Sequence, residues 1–309
     1  MRIGASVGIS LFPEHGQTLE ALLQQADAAL YRAKGEGRGI FKFFSDDLTS
    51  AARGRINLEA LLRRALTRDE LQVHYQPQIE ITSGRIVGAE ALVRWQEPTE
   101  GLIPPSRFIP VAEETGLIAA IGEWVLRETR RQGRQWVEAG LPPLNLAVNL
   151  SPHQFRHGDI SATVAKVLAE TGFPAERLEL ELTESALMER EAEAVEILQR
   201  LRALGVRLAI DDFGTGYSSL AYLKRFPLDV LKIDKSFVDD IPRLQDDMEI
   251  AAAIVALGHT LRLKVLAEGV ETAEQLVFLS AQGCDLYQGY YISQPVPAEA
   301  FVTLLQREA

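Results

Sequence analysis

Residues 207–220 read RLAIDDFGTGYSSL. An apolar, β-favouring run stops at two adjacent carboxylates, Asp211 and Asp212, and passes into a Gly-rich turn, Phe213-Gly214-Thr215-Gly216. Neighbouring residues of a strand point to opposite faces, so two adjacent acids are expected side by side only where the strand is ending. A carboxylate pair beside a loop that two glycines free for positive φ is a place to hold a metal. The same residues also suit an ordinary strand-to-helix turn, with Asp212 as a cap and the glycines turning the chain. The residues that the other strands bring to the same place discriminate between the two.

Working outward, residues 71–81 and 86–96 are strand-like and separated only by Thr82-Ser83-Gly84-Arg85. That connection is too short for a crossover helix, so the pair is expected to be an antiparallel hairpin. Strand-like runs then recur at 144–151, 177–184, 207–212, 230–235, 264–269 and 285–291, with helical runs between most of them. Asp159 precedes a helical stripe that stops at Gly172, Gly205 ends the run from Ser185, and Thr272 to Gln275 is a capping-box pattern. Eight strands, all but the first in βα order and largely apolar on both faces, predict a closed barrel with helices outside. An open doubly wound sheet is the alternative.

A barrel enzyme carries its site at the C-terminal ends of the strands, and the polar residues sort that way. Glu90 and Arg94 share a face of the second strand, Asn149 lies near the end of the third, and Glu179 and Glu181 share a face of the fourth. Asp211 and Asp212 close the fifth, Lys232 and Asp234 share a face of the sixth, Glu268 ends the seventh, and Gln288 is on the eighth. So many acids converging without a cation would repel and desolvate one another. The metal reading therefore outweighs the turn reading.

The chain has 309 residues, 47% hydrophobic and 24% charged, an ordinary globular composition with room for a large core. No apolar run approaches the roughly 20 residues needed to cross a bilayer, and Met1 leads directly into a strand-like pattern, so a soluble chain without membrane contact is expected. The single cysteine, Cys284, rules out an internal disulfide and a multi-thiolate zinc site and fits a reducing, cytoplasmic compartment. With 32 Lys and Arg against 43 Asp and Glu, the formal charge of −11 argues against polymeric nucleic acid as a partner. An anionic ligand would have to be brought in by bound cations. At the N-terminus, 3–12 reads as a strand, 19–34 as a helix and 40–44 as another strand, too little chain to bury its own apolar face well. It looks like the tail of a larger domain, and the helix-like run 53–66 would link it to the main body.

The motifs GAEALVRW around Glu90, Asn149-Leu150-Ser151, Glu181-Leu182-Thr183-Glu184, Asp211-Asp212-Phe213-Gly214-Thr215-Gly216, Lys232-Ile233-Asp234, Glu268-Gly269-Val270-Glu271 and Gln288-Gly289-Tyr290 occur in order. Together they resemble the EAL-domain phosphodiesterases. Residues 1–48 resemble the C-terminal part of a GGDEF diguanylate cyclase domain without its GGDEF motif, 49–66 a linker and helix, and 67–309 the EAL barrel. The resemblance implies a modified TIM (β/α)8 barrel with an antiparallel first strand, in agreement with the hairpin, and an α+β remnant before it. It also implies hydrolysis of cyclic di-GMP to linear pGpG with two Mg²⁺ or Mn²⁺ ions, a hard-cation choice suited to oxygen ligands.

Carried over motif by motif, Glu90, Asn149, Glu181 and Asp211 would hold one metal, and Asp211 and Asp212 the second, with Glu268 close by. Lys232 would position or help activate the water. Glu184 would anchor the Gly-rich loop, and Gln76, Arg94, Asp234, Glu271 and Gln288 would contact the dinucleotide, Arg94 as a phosphate fork. The loop after Asp212 and the following helix, with Leu220, Tyr222, Leu223 and Phe226 as apolar surface, would form a homodimer coupling two active sites. The alternative is that these apolar residues serve to cover the barrel. A pure binding module would keep Arg94 and lose metal ligands, and none is lost here. An enolase-type barrel also sets acids around Mg²⁺, yet has no use for adjacent Asp211 and Asp212 with Asn149. His153 and His157 are read as loop residues without a zinc pattern, Asp239 to Glu249 as a solvated acidic loop and helix start, and Trp124 and Trp136 as packing residues or an oligomer face.

Overall fold

The computed structural model describes residues 5–35, 39–215 and 220–307. The expected roles of Gly216 and of 217–219 lie outside the described residues, as does the start of the strand expected over 3–12. The chain forms two compact units, Met1–Arg64 and Ala65–Ala309. In the first, strand β1 (Val7–Ile9) leads through the helix Leu19–Gly35 to β2 (Phe41–Phe43), which pairs with β1 in parallel. Ala29 and Phe44 form its small buried core. The helix that follows, Asp46–Ala65, starts earlier than the expected 53.

The second unit is a closed barrel of eight strands: β3 (Leu71–Glu80), β4 (Ile86–Glu97), and, beyond the short outer strand β5 (Gly101–Ile103), β6 (Asn145–Leu150), β7 (Leu178–Thr183), β8 (Arg207–Phe213), β9 (Val230–Ile233), β10 (Lys264–Ala267) and β11 (Leu286–Tyr287). β3 runs antiparallel to both its neighbours, β4 and β11, whereas every junction from β4 through β6 to β11 is parallel. The closed ring excludes the open doubly wound sheet. β5 and a last short strand, β12 (Val296–Pro297), pair only with the outer parts of β4 and β3. Neither was expected, because two or three residues, one of them proline, give no periodicity.

Helices cover the outside because their sequences supply the stop and start signals. Asp159 caps the helix Ile160–Thr171 through Ala162 N, and Gly172 ends it in the left-handed region. Thr272 and Gln275 cap the helix Ala273–Ala281 reciprocally. Trp136 stacks on Phe301 at 5.1 Å and meets Tyr75 edge-on at 4.8 Å, so it is a packing residue. His153 and His157 lie on the helix Pro152–His157, not in a loop, with their rings stacked at 4.6 Å. Ser151 and Gln154 form a capping box there, a signal that the reading of that stretch as a loop overlooked.

Inside the barrel, an apolar layer supports the polar one. Ala209, Val230, Leu266 and Leu286 form a buried cluster. Each lies two residues before a polar candidate on its own strand or at its end: Asp211, Lys232, Glu268 and Gln288. With a period of two, both residues of each pair face inward, so the apolar floor raises the polar groups to the C-terminal mouth.

Candidate active site

The two aspartates of the opening motif do not sit at a simple strand end. β8 continues to Phe213, and its pairing with β9 slips between Ile210 and Phe213, so that Asp211 and Asp212 together face the single residue Lys232. This is a β-bulge, and Asp212 adopts φ 54°, a left-handed conformation that a non-glycine residue takes only when its surroundings impose it. The bulge cancels the alternation that would have sent one carboxylate away from the other. One ligand atom each from Asp211, Asp212 and Glu268 lies within 4.8 Å of the others.

Lys232 is fully buried and stands among acids from four strands or strand ends. Its Nζ lies 2.7 Å from Glu181 Oε2, 2.7 Å from Glu268 Oε1, 3.1 Å from Asp211 Oδ1 and 3.8 Å from Glu90 Oε2. Burial alone would favour the neutral amine, but Asp211, Glu181, Glu268 and Glu90 outweigh it and hold the ammonium charged well above its ordinary range. Glu90 is tied into the same network: Asn149 Nδ2 donates to its Oε1 at 2.5 Å, and Gln288 Nε2 donates to its Oε2. Gln288 Nε2 also reaches Gln76 Oε1 at 3.0 Å. Burial pushes Glu90 up, yet Lys232, Gln288 and Asn149 reverse this and leave it below its usual value.

The remaining acids are short of positive charge. Burial drives Glu181 well above the carboxylate range, with Glu90, Asp211 and Glu179 adding to the effect against Lys232. Burial, then the charges of Asp211 and Asp234, push Asp212 up to about 6. Glu268 is pushed to about 8, again chiefly by burial, despite Lys232. Glu181 Oε1 is buried and has no hydrogen-bond donor among the described residues. A one-cation cage with an orphaned buried oxygen and an all-oxygen donor set fits hard divalent cations.

The other expected site residues divide. Glu184, buried beneath the loop, accepts a hydrogen bond from Gly214 N at 2.9 Å. Gln76 is buried beside Gln288 and donates to Ser293 O at 3.3 Å. Asp234 lies beyond the end of β9, where its carboxylate accepts from Ser236 N at 2.9 Å. Arg94 Nη1 donates to Val93 O at 2.9 Å; the side chain feels the charge of Glu90 and lines an adjoining cavity of about 290 Å³ with Asn149 and Thr183. Glu271 stands at the mouth, held by Lys235 Nζ at 2.7 Å. Lys235 and Tyr290 line a cavity of about 240 Å³ together with Glu268, Glu271 and Gln288. Sequence reasoning gave neither a role, although Tyr290 closes the Gln288-Gly289-Tyr290 motif and Lys235 directly follows Lys232-Ile233-Asp234. Leu223 and Phe226 are buried in the chain's own core, so the expectation that they offer apolar surface is corrected; Tyr222 is half-buried.

Against known proteins, residues 59–295 match the EAL domain, and residues 1–39 match the diguanylate cyclase, GGDEF domain. The chain is 48% identical over 299 residues to the bifunctional diguanylate cyclase/cyclic di-GMP phosphodiesterase MucR of Pseudomonas aeruginosa, covering 97% of this chain and 44% of that protein. It is 48% identical to the cyclic di-GMP phosphodiesterase NbdA of the same organism, covering 98% of this chain and 39% of that protein. The chain thus spans less than half the length of these curated relatives. The structure of the PaMucR phosphodiesterase in its c-di-GMP complex superposes with a TM-score of 0.77 at 48% identity, covering 79% of this chain and 99% of that one. The antiparallel first strand, the acid cage at the barrel mouth and the match over 59–295 make this chain a member of the EAL domain family.

Proposed function

We propose that this chain hydrolyses cyclic di-GMP to linear pGpG, using two divalent cations, Mg²⁺ or Mn²⁺. The observation that carries the reading is the caged Lys232: four acids and one cation at the mouth of a barrel, with a buried carboxylate oxygen of Glu181 left without a donor. Glu90, Asn149, Glu181 and Asp211 would hold one ion, and Asp211 and Asp212, with Glu268, the other. When bound, such a pair supplies activation of water and neutralisation of the phosphodiester.

The chain's own residues do the positioning. The bulge at Asp211 and Asp212 presents two carboxylates to one point, and Glu184 fixes Gly214 immediately beyond them. Lys232, permanently a donor, orients the attacking oxygen and opposes the charge that develops on phosphate. Gln76 and Gln288 form an amide pair on the opposite wall; Asp234 and Glu271 would contact the substrate at the mouth, and Arg94 would reach it from the adjoining cavity that it lines with Asn149. Removing Asp212 tests the assignment. Asp212→Ala should lose turnover of cyclic di-GMP with an unchanged circular dichroism spectrum, and wild-type turnover in that variant contradicts it.

The proposed division of labour is 67–309 as the phosphodiesterase, 49–66 as a connecting segment and 1–48 as a GGDEF fragment without cyclase activity. A homodimer through the loop after Asp212 and the helix Leu220–Leu223 belongs to the same reading, supported by the tie of the loop to a proposed ligand, Thr215 donating to Asp212 O through both its N–H and its hydroxyl. So does a cytoplasmic location, supported by the free buried Cys284. No helix of the described residues is long and apolar enough to cross a membrane.

A further inference from the structure

Lys235 follows the end of β9 and opens a short 3-10 turn, Lys235–Phe237. Its side chain crosses over Gly269, at the end of β10 and next to Glu268. A Cβ built on Gly269 would lie 2.3 Å from Lys235 Cγ and 2.7 Å from Cδ, and Gly269 has φ +69°. A side chain at that position would occupy the path of the lysine stem, so glycine gives Lys235 a notch that aims its ammonium into the mouth. There the Nζ lies 2.7 Å from Glu271, 3.6 Å from Asp239 and 5.9 Å from the centre of the Tyr290 ring, a ring 55% exposed to solvent. Among the described residues that line this cavity, Lys235 is the cation; Glu90, Glu268 and Glu271 are acids.

A cyclic dinucleotide carries two phosphodiester anions. The acid cage with its cations serves the one that is cut, and the other must settle at a mouth lined by carboxylates. We infer that Lys235 binds the phosphodiester that is not cut, exchanging its ion pair with Glu271 for one with phosphate, and so releases the Glu271 carboxylate to contact the ligand. The inference rests on the cyclic di-GMP reading above. The exchange conserves charge: the ammonium leaves one anion for another, Tyr290 keeps its ring beneath the cation, and Glu271 gains the hydrogen-bond donors of the ligand in place of the lysine. A lysine suits this task better than an arginine fork, because its flexible stem and compact charge can swing between two anions.

The test is calorimetric titration of cyclic di-GMP into the wild-type chain, Lys235→Met and Lys235→Arg, in EDTA and again in Ca²⁺, with Tm recorded for each. Met keeps the stem over Gly269 and removes the charge. The expected result is binding about tenfold weaker for Lys235→Met, as for loss of one charge-assisted hydrogen bond. Lys235→Arg should recover most of the affinity, and all three Tm values should agree. Equal affinity of Lys235→Met and wild type overturns the inference and leaves the functional reading standing. Equal losses in the Met and Arg variants, or a lowered Tm, also overturn it, since they mark a structural ion pair. Absence of binding by the wild type in both conditions overturns the functional reading and the inference together.

Discussion

At the scale of the residue, Lys232 governs the electrostatics of the site. Four carboxylates share one ammonium in a buried cluster; burial first, and then the neighbouring acids, raise Glu181 and Glu268 despite Lys232, and raise the adjacent Asp212 as well. Lys232→Met is therefore expected to destabilise the metal-free chain by about 3 kcal/mol, the usual cost of stranding one side of a buried ion pair. Divalent cations should recover part of this, so the rise in Tm on adding Mg²⁺ should be larger in Lys232→Met than in wild type. Thermal melts in EDTA and in Mg²⁺ measure both, and equal rises in the two proteins contradict the view that the cage is held together by cations. The importance of this lysine was legible from its strand parity. Its distances to Glu181 and Glu268 were not, because they depend on how far the strands stagger around the ring.

At the scale of the element, the β8 bulge is the feature that makes the pair of aspartates useful. A non-glycine residue in the left-handed region costs on the order of 1 kcal/mol, and Asp212 also adds a repelling charge beside Asp211. Asp212→Gly should raise Tm in EDTA by relieving both, and should abolish turnover; a variant that melts lower than wild type contradicts the strain argument. The sequence showed two adjacent acids and a strand stopping at them. Only the register with β9 shows that the strand goes on and gains a residue, since period-two reasoning has no place for an inserted one. Elsewhere the barrel was readable: four residues between two strand-like runs dictated the hairpin, and the caps at Asp159 and Thr272 fixed helix starts. Lys235 and Tyr290 were missed for a different reason. They reach the mouth from segments beyond the ends of β9 and β11, where strand parity no longer says which way a side chain points.

At the scale of the whole molecule, the described residues show a barrel carrying an acid cage and a small N-terminal unit. The proposed dimer would link two such cages through the loop that leaves Asp212. Leu223 and Phe226 are buried, and among the residues of that segment whose burial is described Tyr222 is half-buried. Tyr222→Asp is expected to shift light-scattering mass from dimer to monomer and to weaken Mg²⁺ activation; a monomer with wild-type activation contradicts the coupling. The central claim is hydrolysis of one phosphodiester of a cyclic dinucleotide at a cation-dependent cage. Its most direct measurement is chromatographic separation of the products formed from cyclic di-GMP by the purified chain, with Mg²⁺, after EDTA, and after Mg²⁺ is restored. The account predicts linear pGpG as the first product, its loss on chelation and its return with the metal; unconsumed cyclic di-GMP with Mg²⁺ present, or undiminished turnover in EDTA, would contradict it.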